Sequence, residues 1–123
     1  MKIQDIINQK YLSLETYRKN NLPVQTPVWF VVHKDTIHIV TREKTGKIKR
    51  LKNNNNVQIA PCTFNGKITG KAATGKAVFS PPEDVQMVLN LRRKKYGVME
   101  IIARFVSRKK GNLVVFSIKL DET

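Results

Sequence analysis

The stretch Val24-Gln25-Thr26-Pro27-Val28-Trp29-Phe30-Val31-Val32, followed after His33-Lys34-Asp35 by Thr36-Ile37-His38-Ile39-Val40-Thr41, decides the fold. Val24, Thr26, Val28, Phe30 and Val32 alternate with Gln25, Pro27, Trp29 and Val31, the period of a β-strand, and the later part is apolar on both faces. Pro27 lacks an N–H, so one edge of this strand is free, bulged or turned to a ligand. Upstream, Leu12, Leu14 and Thr16 alternate with Tyr11, Ser13, Glu15 and Tyr17. That strand ends at Lys19-Asn20-Asn21-Leu22, where tandem asparagines suit the positive φ of a turn. The three segments form an antiparallel meander.

Outward from this meander, 57–62 and 67–79 read as two more strands, the second containing Gly70, Ala72, Ala73 and Gly75, small residues that permit bending. Gly111-Asn112 turns into a closing strand over 113–120. Between these lie short helices. Ile3, Ile6 and Ile7 make an apolar stripe at the start of the chain. A basic helix over 45–53 has Thr45 as N-cap and only Ile48 and Leu51 as apolar residues, and four asparagines from Asn53 end it. Ser80-Pro81-Pro82-Glu83-Asp84 opens a helix carrying Val85, Val88, Leu89 and Leu91, then Arg92-Arg93-Lys94-Lys95, with a break near Gly97. Met99, Ile102, Phe105 and Val106 suggest another turn or two of helix. Six short strands with two or three small helices point to a closed or nearly closed barrel.

The 123 residues are expected to form a single domain over 1–123, without repeat or linker. The longest apolar run, Val28 to Val32, is far too short to cross a bilayer. Asp5 and Asn8 interrupt the first apolar stretch, so no signal peptide is read and a cytoplasmic location without membrane partners is expected. Cys62 is the only cysteine, which excludes an intrachain disulfide and a zinc site of paired thiolates; at the end of an apolar run it reads as buried and inert. A net charge of +14 implies an anionic partner. Charge alone fits a nucleic acid, a phosphorylated cofactor or an acidic lipid equally.

The strongest chemical signal is the strand 37–41 running into Thr45-Gly46-Lys47 at the head of the basic helix. Backbone N–H groups, hydroxyls and a cation converge there, so Thr41, Thr45 and Lys47 are candidates to hold one phosphate. The glycine spacing is not that of a Walker loop. His33 and His38 come with no acidic ligand pattern, so no metal site is expected.

In the order of its residues, the run Pro23 to Phe30, then Thr41 to Asn54, then 57–62 and Gly70 to Ala77, resembles the pyridoxamine 5′-phosphate oxidase-like split β-barrels, and within them the FMN-binding or deazaflavin-dependent oxidoreductase branch. The resemblance implies a mainly β fold, a six-stranded antiparallel split β-barrel. It also implies a homodimer whose two clefts hold the cofactor, either FMN or an 8-hydroxy-5-deazaflavin (coenzyme F-420). Carried over, Thr41, Thr45, Gly46 and Lys47 bind phosphate with Arg50 close by, while Val28, Trp29 and Phe30 pass the ring system, mostly through backbone groups. Gly46 stands where many relatives carry arginine, which shifts weight to Lys49 or Arg50. The extra C-terminal substrate segment of true pyridoxamine phosphate oxidases has no counterpart here, so vitamin B6 synthesis is not expected.

The expected function is therefore hydride transfer between bound cofactor and an unidentified small organic substrate. No proton donor is assigned; Tyr11 and Tyr17 are the nearest candidates. Two alternatives stand beside it: a flavin carrier without turnover, and a basic barrel binding single-stranded nucleic acid through Trp29, Phe30 and nearby lysines. Against the latter, the long strand is uncharged and cations gather at Lys44 to Lys52 and Arg92 to Lys95.

Overall fold

Leu12 lies opposite Val28 and Tyr17 opposite Pro23 in the hairpin of strands β1 (Leu12–Tyr17) and β2 (Pro23–Val28), with Asn21 taking φ 67° in the turn. The computed structural model describes residues 2–121. It continues through β3 (Val31–His33), β4 (Thr36–Arg42), α2 (Gly46–Asn53), β5 (Asn56–Pro61), β6 (Ala73–Phe79), α3 (Val85–Tyr96), α4 (Val98–Ser107) and β7 (Leu113–Leu120), after an initial turn of helix, α1 (Ile3–Ile6). Among the described residues, no helix is long and apolar enough to cross a membrane.

Seven antiparallel strands pair in the order β2-β1-β5-β6-β7-β4-β3. β2 and β3 are the two edges of this sheet, yet only Trp29 and Phe30 separate them in sequence. Laid flat, seven strands would span about 29 Å at 4.8 Å per neighbour, whereas the step from Val28 to Val31 reaches about 11 Å at most. The sheet must curl until its edges meet, and the result is a split barrel. Pro27 sits on edge strand β2, where its missing N–H breaks no ladder.

The expected long second strand is thus two strands, raising the count from six to seven. The physical reason is a change of partner: β2 pairs with β1 and β3 with β4, while the inward alternation of Val28 and Phe30 continues unbroken across the change. The strand expected from Lys67 begins only at Ala73, because Gly70 packs against Pro61 and residues 62–72 form a loop closed by a single Cys62–Ile68 bridge.

Leu12, Leu14, Phe30, Ile37, Ile39, Val57, Ile59, Phe116 and Ile118 fill the barrel. Ile48 and Leu51 of α2 join them, each 2% exposed, and such burial is worth about 1.5–3 kcal/mol per side chain. Outside the barrel a second layer forms where α3 lays Val88 over Val31 and Val115. Gly97, at φ 62°, turns α3 into α4, a conformation that side chains resist. α4 runs for ten residues, more than the expected turn or two, and it is inside out. Glu100 is fully buried and paired with Arg104 at 2.6 and 2.8 Å, whereas Val98, Met99, Ile101, Ile102, Phe105 and Val106 are exposed.

Candidate functional site

At the split, the peptide of Phe30 has no ladder neighbour, and its polar groups must find partners elsewhere. The last turn of α3 supplies them. Tyr96 Oη accepts the Phe30 N–H at 3.1 Å and donates to the Lys10 carbonyl at 2.6 Å; Lys95 Nζ donates to the Phe30 carbonyl at 3.0 Å. The same Lys95 ammonium lies 3.5 Å from the centre of the Phe30 ring, and burial brings its pKa down to about 8. Burial pushes the Tyr96 hydroxyl up to about 12, so it is protonated at neutral pH and acts as a donor. Lys95, the last residue of the basic cluster of α3, and its neighbour Tyr96 therefore close the seam.

Trp29, pointing outward between β2 and β3, stacks on Tyr96 with ring centres 4.3 Å apart and planes 9° from parallel. The Arg92 guanidinium lies 5.1 Å from the Trp29 ring centre. Beside this stack opens a hollow of about 260 Å³ whose wall includes Val28, Trp29, Thr41, Lys47, Arg92 and Ala103. Tyr11 and the exposed Phe64 border it too, and no Asp or Glu lines it.

α2 stands over this hollow with its first turn. Thr45 is the N-cap, but its hydroxyl donates to the Arg42 carbonyl at 2.9 Å and makes no cap bond, so the first-turn amides keep their donors free of it. The Thr45 and Thr41 hydroxyls lie 3.5 Å apart. Lys47 has no carboxylate partner among the described residues, and its pKa is lowered by burial first, then by Arg50 and Lys110. A half-buried cation, a hydroxyl and a helix N-terminus together favour an anion.

The expected set is divided. Val28, Trp29, Thr41 and Lys47 share the hollow, and Thr45 adjoins it through Thr41. Phe30 is 1% exposed, so its side chain belongs to the core and only its backbone faces the seam. Gly46 and Arg50 lie on a separate hollow of about 280 Å³ with Tyr17, Arg18 and Lys49. Arg50 Nε donates to the buried Thr16 hydroxyl at 2.6 Å, and its guanidinium presses against the space over Gly46 that any Cβ would fill. Tyr17 donates to Glu15 at 2.7 Å on that same side, away from Trp29.

The sequence reading missed Tyr96 and left Arg92 as one of four cations. What separates them is helical phase: Arg92 and Tyr96 are four apart and face Trp29, while Arg93 and Lys94 are exposed. A larger hollow of about 600 Å³, between α1 and the loop after β5, mixes Lys2, Lys71 and Asp5 with no aromatic wall. Among the described residues, no three His, Cys, Asp or Glu gather as metal ligands. Cys62 is buried, and burial pushes its thiol up.

The sequence matches the family model described as pyridoxamine 5′-phosphate oxidase over residues 2–123. No curated protein sequence matches it. Among solved structures, a conserved hypothetical protein of Mycobacterium tuberculosis is similar at a TM-score of 0.73 and 20% identity, over 98% of this chain and 79% of that one. HutZ, the heme storage protein of Vibrio cholerae, is similar at 0.72 and 15% identity, over 100% of this chain and 93% of that one. An F420 reductase is similar at 0.67 and 14% identity, over 97% and 93%. These likenesses concern the fold.

Proposed function

Because the chain belongs to the pyridoxamine 5′-phosphate oxidase family, we propose that it is a flavin- or deazaflavin-dependent oxidoreductase that works as a homodimer on a small organic substrate. The observation that carries this reading is the hollow beside Trp29. It combines an aromatic wall, the Thr41 hydroxyl and two cations, Lys47 and Arg92, without an acid to neutralise them. Those are the groups that a phosphate ester of a flat ring system requires.

When bound, FMN or the 8-hydroxy-5-deazaflavin supplies the hydride chemistry. The chain's own residues bind and orient it: Lys47, Thr41 and the first-turn amides of α2 hold the phosphate, with Thr45 positioning Thr41, while Val28 and Trp29 flank the ring. Gly46 contributes its amide to that first turn, while Arg50 lies on the other side of α2 and keeps the helix against β1 through Thr16. The hollow of about 260 Å³ falls below the roughly 300–1,000 Å³ that enclose a cofactor-sized ligand, which fits a cleft whose remaining wall comes from a second copy. α4 borders the hollow through Ala103 and presents its apolar face outward, as a subunit contact would.

Titration of FMN and of the deazaflavin against the wild type and Lys47→Ala tests the reading. The substitution weakens binding by about 1.5–3 kcal/mol, the range for a hydrogen bond to a charged group. The deazaflavin carries further negative charges beyond its phosphate, so its affinity falls more steeply with salt than that of FMN if cations such as Lys44 and Lys52 engage its tail. Failure of both ligands to bind below millimolar concentration refutes the proposal.

A further inference from the structure

We infer that Arg92 is an anion-binding residue of the Trp29 hollow, gripping carboxylate or phosphate oxygens of the ligand with the guanidinium edge that the protein leaves without a partner. The inference deepens the cofactor reading above and rests on it for the ligand's identity, but the residue itself is argued from its surroundings. Arg92 Nε is buried and bonded to nothing among the described residues. A guanidinium has five N–H donors in a rigid plane, and burying one unpaired is costly.

The charged groups of α4 and β4 that act on it are already committed. Glu100, the one buried carboxylate within reach of its charge, takes Arg104 through both oxygens, at 2.6 and 2.8 Å. Arg42 spends its donors on the Ser107 hydroxyl and on the carbonyls of Gly111 and Arg104, at 3.0, 3.0 and 2.7 Å. Arg92 thus feels one carboxylate that Arg104 already occupies and two further guanidiniums, and it borders the hollow. Its guanidinium carbon lies 5.1 Å from the centre of the Trp29 ring, which is itself held by the stack with Tyr96. With its Nε unpartnered, a planar fork of N–H groups in the wall of an acid-free hollow matches a carboxylate or phosphate. With Lys47 in the same wall, the ligand class is an organic molecule bearing more than one negative charge.

Trp29 is the only tryptophan, so its emission reports on the Arg92 contact directly. Pyrophosphate, FMN and the deazaflavin are titrated separately into wild type, Arg92→Met, Arg92→Lys and the exposed control Arg93→Met, with circular dichroism confirming each fold. Pyrophosphate shifts the Trp29 emission of wild type and Arg93→Met alike, and Arg92→Met weakens it by about tenfold or more, the loss expected for a charge-assisted pair. Arg92→Lys restores less than half of that loss in free energy, because it returns the charge without the fork. Wild-type pyrophosphate affinity in Arg92→Met, or full recovery in Arg92→Lys, overturns the inference. If Arg92-dependent pyrophosphate binding is seen while neither cofactor binds, the cofactor reading fails and the anion site stands. If both cofactors bind Arg92→Met as tightly as wild type, the assignment of Arg92 fails and the cofactor reading stands.

Discussion

Trp29 and Tyr96, sixty-seven residues apart in sequence, stack with ring centres 4.3 Å apart and planes 9° from parallel, and the Tyr96 hydroxyl spans the seam of the barrel beneath them. Tyr96→Phe keeps the stack but leaves the Phe30 N–H and the Lys10 carbonyl without this partner. The expected cost is about 1–3 kcal/mol, chiefly the penalty for stranding the part-buried Phe30 N–H, since the Lys10 carbonyl is exposed. Urea denaturation measures it, and a change below 0.5 kcal/mol, on the order of experimental scatter, would mean that water satisfies the seam instead.

Much of the barrel was legible because period-two alternation reports burial, and burial is what closes a sheet. Ile37, Ile39, Val57, Ile59, Phe116 and Ile118 all point inward as their spacing requires. The division of the second strand was not legible for the same reason. Val28 and Phe30 both face the core, so the pattern runs straight through the point where the hydrogen-bonding partner changes from β1 to β4. α4 misled in another way: apolar residues imply burial somewhere, and here Glu100 takes the inner position while they face outward.

His38 gives the fold a pH dependence. Its side chain is 9% exposed, its Nδ1 is buried without a partner among the described residues, and burial followed by His33 lowers its pKa against a smaller opposing effect of Asp84. Since the unfolded chain titrates near 6.5, it binds the proton more readily than the folded protein does just below that pH. Stability from this residue is fully present above about pH 6.5 and is lost as pH falls through the lower folded value. Unfolding free energies of wild type and His38→Gln between pH 7.5 and 5 check this; parallel curves would exclude His38 as the source.

The candidate site was half legible. Thr41 and Lys47 carry a local signal, a strand end meeting a helix start, and they do share a hollow. Gly46, adjacent to Lys47 in sequence, has no side chain to aim and can serve the site only through its first-turn amide, while it borders the hollow of Arg50 on the other side of α2. Arg92 and Tyr96 reach Trp29 only through the packing of α3 on β3 and β7, a long-range event with no local mark.

The turn between β3 and β4 holds Lys34 at φ 50° and Asp35 at φ 59°. Two consecutive residues of positive φ define a hairpin turn that favours Asn-Gly or Asp-Gly, and lysine is a poor occupant. Lys34→Asn is expected to stabilise the protein by about 0.5–1 kcal/mol, part of the 1–2 kcal/mol that the left-handed region costs an ordinary side chain. Thermal denaturation gives the answer, with no change in Trp29 emission because the turn lies outside the Trp29 hollow.

The outer face of α4 is the last test, because the proposed cleft depends on it. Val98, Phe105 and Val106 are 71%, 65% and 74% exposed, and Met99, Ile101 and Ile102 extend the same surface. Six such side chains together expose roughly 500 Å² of apolar area, the upper end for a monomer and most of the 800 Å² that each partner contributes to a stable interface. At micromolar concentration, light scattering should give the wild type twice the 14.1 kDa mass of one chain. Phe105→Glu places a charge where two copies would meet, and it should return the mass to that of one chain while leaving the circular dichroism unchanged. Cofactor affinity should fall with it, since Ala103 on the same helix borders the Trp29 hollow. A Phe105→Glu protein that stays dimeric moves the interface elsewhere. A wild type that is monomeric leaves the hollow open on one side and removes the shared cleft from the proposed mechanism.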